Sequence, residues 1–68
     1  MTSEDIKKAM LSFAPVKHNG IEYLRITAYI YRVIRTNGDK YKTIMQCELL
    51  DRSGNSVTIA EAEKVELV

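Results

Sequence analysis

Two Asn-Gly dipeptides, at residues 19–20 and 37–38, constrain the fold of this chain most strongly. A two-residue loop between antiparallel strands needs positive φ at both central positions, which Asn followed by Gly adopts readily. A third turn signal spans residues 51–55 and contains Gly54. Residues 21–36 contain neither Gly nor Pro. The pattern therefore predicts an antiparallel meander of long strands.

The second Asn-Gly turn also predicts a strand register. If Asn37 and Gly38 form the loop, apolar residues face each other across the hairpin on one side: Ile34 with Tyr41, Ile30 with Met45, Ala28 with Cys47, and Ile26 with Leu49. Pairing Asp51 with Asn55 in the third turn adds Val57 and Ile59 to the same side. Because a slip of one residue would move every side chain to the other face, the agreement favours this register.

The first residues predict a helix over 3–13. Ser3 is a suitable N-cap, and the acidic residues that follow it suit the positive end of the helix dipole. Pro15 disfavours helical geometry at the preceding residue and ends the element. The apolar residues fall on one stripe at helical spacing: Ile6, Ala9, Met10 and Phe13.

The size of the chain limits it to one domain over residues 1–68. With one Cys and one His it forms no internal disulfide and no tetrahedral zinc site, so we expect no metal and no cofactor. Hydrophobic residues make up 46% of the chain, enough for a small core. The predicted core consists of Ile6, Met10, Phe13, Leu24, Ile26, Ala28, Ile30, Ile34, Met45, Cys47, Leu49, Val57, Ile59, Val65 and Leu67.

Residues 21–36 would span about 53 Å if straight, whereas a domain of this size has a radius of gyration near 11 Å. We therefore expect this strand to bend near Thr27-Ala28 and to serve two sheets. After it, residues 60–63 read as one helical turn before a last short strand with Val65 and Leu67.

This order of elements over residues 15–68 resembles the Src-homology-3-like small barrel. The resemblance implies a mainly β (α+β) fold, with a short N-terminal helix followed by a five-stranded, antiparallel, partly open barrel. It does not extend to proline-rich peptide binding, because the chain has no Trp and its first connection is a tight turn. The stretches 16–23 and 49–60 also resemble small uncharacterised proteins of phage or mobile-element type, which implies no activity.

The predicted face opposite the core interleaves aromatic and basic side chains. Rings of this kind stack on bases for about 1–3 kcal/mol each, while the cations follow phosphates. The same pattern is also ordinary for half-exposed strands, and the helix could dock on the tyrosines. The candidate interaction face comprises Tyr23, Arg25, Tyr29, Tyr31, Arg35, Lys40 and Lys42.

Four further features have a chemical and a structural interpretation. Arg32 could bind an anion or lie at the rim with its head in water. Cys47 could be a reactive thiol or a small buried hydrophobe, and His18 a general base or a solvated turn residue. The last feature is an acidic group that could bind a hard cation or form a solvated rim: Glu61, Glu63 and Glu66. In each case we favour the structural interpretation, and we expect the protein not to be an enzyme.

The net charge of +1 combines +4 over residues 1–47 with −3 over residues 48–68. No secretory leader and no apolar span are recognised, so we expect a cytoplasmic protein without a membrane partner. The sequence favours a non-catalytic binding or accessory module that associates with an unknown protein or with itself. The alternative is weak, sequence-indifferent nucleic-acid binding through the candidate face.

Overall fold

The computed structural model describes residues 1–68 and is mainly β, with one short helix and two antiparallel sheets. The elements are α1 (Ser3–Ser12), β1 (Val16–His18), β2 (Ile21–Tyr23), β3 (Arg25–Asn37), β4 (Lys40–Leu50), β5 (Val57–Glu61), a 3-10 turn (Ala62–Lys64) and β6 (Glu66–Leu67). One sheet has the order β2-β1-β6 and the other β3-β4-β5, and the two are not closed into one ladder.

The first hairpin forms as its Asn-Gly dipeptide predicts. Asn19 and Gly20 both have positive φ, 53° and 76°, so they form the two-residue loop between β1 and β2. His18 then faces Ile21, and Val16 faces Tyr23. This pairing buries Val16 and Tyr23 together.

Helix α1 is close to its predicted limits and uses a different cap. The hydroxyl of Thr2, rather than Ser3, accepts a hydrogen bond from the Asp5 amide at 3.2 Å. The helix ends where Phe13 turns left-handed at φ 56°. Because of this turn the Phe13 side chain leaves the apolar stripe and is 67% exposed, while Ile6 and Ala9 are buried.

The long strand serves both sheets, as expected, but it divides at Leu24 rather than at Thr27-Ala28. A register shift does occur at Thr27. Before it, Ile26 faces Leu49 as predicted; after it, Tyr29 rather than Ala28 faces Cys47. The Thr27 hydroxyl donates to the Glu48 backbone carbonyl oxygen and carboxylate, at 3.2 and 2.8 Å. The shift brings Tyr29 to the core side, so the predicted core positions of Ala28, Ile30 and Ile34 are wrong.

The second predicted loop is displaced by one residue. Asn37 pairs with Lys40, which leaves Gly38 and Asp39 as the loop. Of these four residues only Gly38 has positive φ, at 57°, so the predicted turn with positive φ at both Asn37 and Gly38 does not form. A second register shift lies between Arg35 and Asn37, next to the displaced loop.

The third turn is one residue longer than predicted. The Asp51 amide donates to the Ser56 carbonyl oxygen at 2.9 Å, and Leu50 rather than Leu49 faces Val57. This register turns Val57 and Ile59 away from the core, and they are 48% and 45% exposed. Ala60 faces Cys47 in place of Ile59.

The core lies where α1 covers the sheet and the sheet meets the first hairpin. Its ten buried members are Ile6, Ala9, Val16, Tyr23, Ile26, Cys47, Leu49, Ala60, Ala62 and Val65. Five of these were predicted. Besides the residues already named, the other predicted members that are instead exposed are Leu24, Met45 and Leu67. The single helix has ten residues, and no helix has the length and apolar character needed to cross a membrane.

Candidate interaction surface

A two-stranded ribbon extends from the body of the molecule. Strand β5 pairs with β4 only from Gln46 to Leu50, so the distal parts of β3 and β4 have no third strand. We define the ribbon as residues 31–45, and every residue from 31 to 43 is exposed. The ribbon gives the molecule a longest dimension of 42 Å and a radius of gyration of 13.0 Å, above the roughly 11 Å expected for a compact chain of this length.

One face of the ribbon continues the core face of the sheet, and we call it the inner face. Alternation along the observed register places Tyr31, Val33 and Arg35 on it from β3, opposite Met45, Thr43 and Tyr41 from β4. Four of these side chains are large, apolar and exposed: Tyr31 by 60%, Val33 by 61%, Tyr41 by 66% and Met45 by 47%. Helix α1 contacts β3 but leaves these four side chains exposed, so the inner face is an unpartnered apolar surface.

The opposite face of the ribbon, the outer face, is more polar. Arg32 donates from Nε to the Gln46 amide oxygen at 2.8 Å, which holds its side chain along the strand pair. Arg32 is exposed, as the rim interpretation expected. Ile34 and Ile44 lie on this face beside Lys42.

Strand β3 has a free edge. It is the terminal strand of the β3-β4-β5 sheet, so the backbone groups that point away from β4 have no ladder partner. From Tyr31 to Asn37 this edge contains no Pro. Charged side chains and prolines are common devices that keep such edges from pairing with other chains. Two charged side chains belong to this part of the edge strand, Arg32 on the outer face and Arg35 on the inner face.

The structure divides the predicted interaction face. Tyr23 is 8% exposed and belongs to the core, so its placement on that face is wrong. Arg25 lies over the Phe13 ring at 5.1 Å, and Lys7 lies 6.0 Å from the centre of the Tyr29 ring. Tyr29 therefore packs beside α1 and is partly buried against the core.

The remaining predicted residues lie on the ribbon but not on one face. Tyr31 and Arg35 are on the inner face, whereas Lys42 is on the outer face and Lys40 is beside the loop. Tyr41 also belongs to the inner face. The sequence did not assign it to the interaction face, because the predicted register placed it opposite Ile34 on the core side.

Charge is unevenly divided between the ribbon and the body. Four cations and one carboxylate give the ribbon a net charge of +3, which leaves −2 for the rest of a chain whose total is +1. The ribbon charges are Arg32, Arg35, Lys40, Lys42 and Asp39.

Cys47 has the environment of a buried, unreactive thiol. It is fully buried between Tyr29 and Ala60 on the neighbouring strands. Burial raises the pKa of the thiol by disfavouring the thiolate, and the N-terminal ammonium offsets this only in part. The structure places no activating cation from a side chain against it, which agrees with the inert interpretation.

Asp51 organises the third turn. Its carboxylate accepts hydrogen bonds from the Ser53 amide at 2.9 Å, from the Ser53 hydroxyl and from the Ser56 hydroxyl at 2.7 Å. The pKa of Asp51 is lowered mainly by the hydrogen bond from the Ser53 hydroxyl and next by the one from the Ser56 hydroxyl. These contacts close the loop between β4 and β5.

The remaining candidates are dispersed. His18 is half-buried at the end of β1, beside the first hairpin loop. Glu61 pairs with Lys64 at 3.5 Å and Glu66 with Lys17 at 3.9 Å, while Glu63 is exposed. No three His, Cys, Asp or Glu side chains are grouped so that they could hold a metal ion.

Comparison with protein families, with curated proteins and with solved structures gives no match to this chain.

Proposed function

We propose that the protein is a non-catalytic binding module whose contact element is the ribbon and whose partner is a protein. The single observation that supports this is the inner face, where Tyr31, Val33, Tyr41 and Met45 are exposed on a ribbon only two strands wide. A two-stranded hairpin is marginally stable in water and gains stability when it packs against something. Exposed apolar patches of this kind mark contact sites.

The proposed architecture is the partly open, Src-homology-3-like small barrel. It is supported by the path of the chain: β5 passes through the 3-10 turn into β6, and β6 pairs with β1 of the other sheet. In this arrangement the ribbon is an extended hairpin of the barrel rather than a separate domain. A cytoplasmic location is proposed with it, supported by the free thiol of Cys47.

A photo-crosslinking residue tests the proposal directly. Placed at Tyr41 in the full chain expressed in cells, it should form adducts with protein, because Tyr41 is exposed on the inner face. The same residue at Glu22, which is exposed on β2 of the body, is the matched control. Adducts should be lost when Tyr31 and Val33 are both replaced by Ser. Equal adducts from the two positions, or none from Tyr41, would overturn the proposal.

Nucleic-acid binding is the second candidate, and the +3 charge of the ribbon is the observation that favours it. Tyr31 and Tyr41 would be the stacking groups and Arg35, Lys40 and Lys42 the phosphate contacts. We rank it second because the cations are divided between the two faces of the ribbon, whereas the tyrosines share one. Adducts from Tyr41 that are nuclease-sensitive, with binding that weakens steeply as salt is added, would establish it instead.

A further inference from the structure

We infer that the segment of the partner that binds the ribbon is an amphipathic helix, which lies along the inner face and places a carboxylate against Arg35. This inference rests on the proposed function and gives the chemistry of its partner. It draws on three features of the molecule: the helix that already packs on the same side of the sheet, the width of the ribbon, and the distribution of charge along the inner face.

Helix α1 shows that this side of the sheet accepts a helix. It contacts β3 and buries Ile6 and Ala9 in the core. Lys7 lies beside Tyr29 and Phe13 beside Arg25, so α1 runs antiparallel to β3 and its N-terminal end is the one nearer the ribbon. The inner face continues the surface under α1 into the part of the sheet that α1 leaves exposed.

The backbone of the ribbon favours a helical partner over an extended one. The donors and acceptors of β3 and β4 lie in the plane of the sheet, so a segment that lies across the inner face meets only side chains. Such a segment must satisfy its own backbone hydrogen bonds, as a helix does and a single extended strand does not. The two strands lie about 4.8 Å apart, and one helix about 10–12 Å across covers both columns of side chains.

Charge indicates that this helix is acidic. Arg35 is the one charged side chain of the inner face, and it is exposed. It makes no ion pair, because the two ion pairs of the molecule join Lys17 to Glu66 and Lys64 to Glu61. A guanidinium group pairs with a carboxylate through two parallel hydrogen bonds. The net charge of +3 on the ribbon also attracts an acidic partner during the encounter.

The other end of the inner face has the opposite character. A cleft of about 320 Å³ opens there, and its lining includes Met1, Thr43, Met45, Glu61, Ala62 and Glu63. The two carboxylates disfavour an acidic side chain at this end, whereas the methionines and the alanine favour an apolar one. The partner helix should therefore carry its carboxylate near the tip of the ribbon and an apolar side chain near the cleft.

The register of the ribbon gives the spacing of these two groups. Arg35 faces Tyr41 and Tyr31 faces Met45, so the two rows are four residues apart along each strand. At about 3.3 Å per residue this is about 13 Å. A helix rises about 1.5 Å per residue, so the carboxylate and the apolar anchor should lie at about i and i+8, which are on one face of a helix.

Three designed peptides test this inference on the full chain. Each is a helix of about 14 residues built from Ala and Gln, about 21 Å long. The Glu peptide carries Glu at position i and Leu at i+4, i+7 and i+8. The Lys peptide has Lys in place of that Glu. In the third peptide the Glu is moved to the opposite face of the helix, which leaves the composition and the net charge unchanged.

Binding is measured by fluorescence anisotropy at low salt, and the contact surface by amide shifts in NMR. The Glu peptide should bind about tenfold more tightly than the Lys peptide and about threefold more tightly than the third peptide. Its shifts should concentrate on the inner face, at Tyr31, Val33, Tyr41 and Met45.

Two charge-reversal variants separate contact from net charge. In Arg35→Glu the preference should reverse, so that the Lys peptide binds more tightly than the Glu peptide. Arg32→Glu is the matched control, because it makes the same change of charge on the outer face of the same strand. It should keep the preference for the Glu peptide. Circular dichroism checks that both variants are folded.

The inference would be overturned by any of three results: no binding of the Glu peptide at millimolar concentration, equal affinity for the three peptides, or the same change of preference in Arg32→Glu and Arg35→Glu. If Tyr41 gives protein adducts in cells while the Glu peptide does not bind, the proposed function stands and the acidic helix is rejected. If Tyr41 gives no adducts and the Glu peptide does not bind, both fail.

Discussion

Replacing Ile26 and Ile59 separately with Ala should have very different effects on the free energy of unfolding. Both are isoleucines on strands of the same sheet, but Ile26 is fully buried and Ile59 is 45% exposed. The change removes three carbon groups, worth about 2.4 kcal/mol at roughly 0.8 kcal/mol each. At Ile26 a cavity term adds to this, for a total of about 3–4 kcal/mol. At Ile59 only about half of the transfer energy applies, about 1.3 kcal/mol, with no cavity.

The total stability expected for this chain is about 3–10 kcal/mol, so Ile26→Ala should lose much of its folded population while Ile59→Ala remains folded. Urea unfolding followed by circular dichroism measures both, with Ile26→Val as a milder variant that should cost about 0.5–1.5 kcal/mol. Equal losses at the two positions, or a larger loss at Ile59, would refute the observed register of β5.

Two further predictions follow from the pKa shifts. The lowered pKa of Asp51 contributes stability that is present above the unfolded pKa, near 3.9, and is lost as pH falls through the folded value. Asp51→Asn should therefore be less stable than wild type near pH 7, with the difference shrinking towards pH 2; a difference independent of pH would contradict the role of the carboxylate. The thiol of Cys47 should not react with a disulfide reagent at pH 8 unless urea is added, because it is buried and its pKa is raised. The stability that the neutral Cys47 thiol contributes is present below the pKa of the thiol in the unfolded chain, about 8.5, and is lost as pH rises through its pKa in the folded chain. Rapid labelling of the folded chain would show that the site opens.

The parts of the fold that the sequence predicts well have one strong local signal each. Asn19-Gly20 defines the first hairpin because both residues adopt positive φ there. The helix is predicted by the helical spacing of its apolar residues and by Pro15, although Thr2 rather than Ser3 provides the N-cap.

The register of β3 could not be predicted from its apolar pattern, because both of its faces are apolar. Ala28, Ile30 and Ile34 form one stripe and Tyr29, Tyr31 and Val33 the other. The alternation of side chains along the strand does not decide which stripe faces the core. The register shift at Thr27 decides it, because after the shift Tyr29 and Tyr31 lie on the same side as Cys47. The same pattern explains why the sequence indicated a Tyr, Arg and Lys surface but not its division between the core, the helix and the ribbon.

The length of the turn at residues 51–56 also could not be predicted from the sequence. Gly54 marks a turn in the sequence but does not determine its length. The carboxylate of Asp51 selects the longer loop by accepting hydrogen bonds from Ser53 and Ser56. One extra residue then exchanges Ile59 for Ala60 at the core.

Photo-crosslinking along the ribbon tests directly whether its inner face is the contact surface. A photo-crosslinking residue at Val33, Tyr41 or Met45, all exposed on the inner face, should give adducts with protein. The same residue at Ile34 or Lys42 on the outer face should give few adducts. Equal yields from the two faces, or no adducts from the inner face, would contradict the proposal that the inner face binds a protein partner.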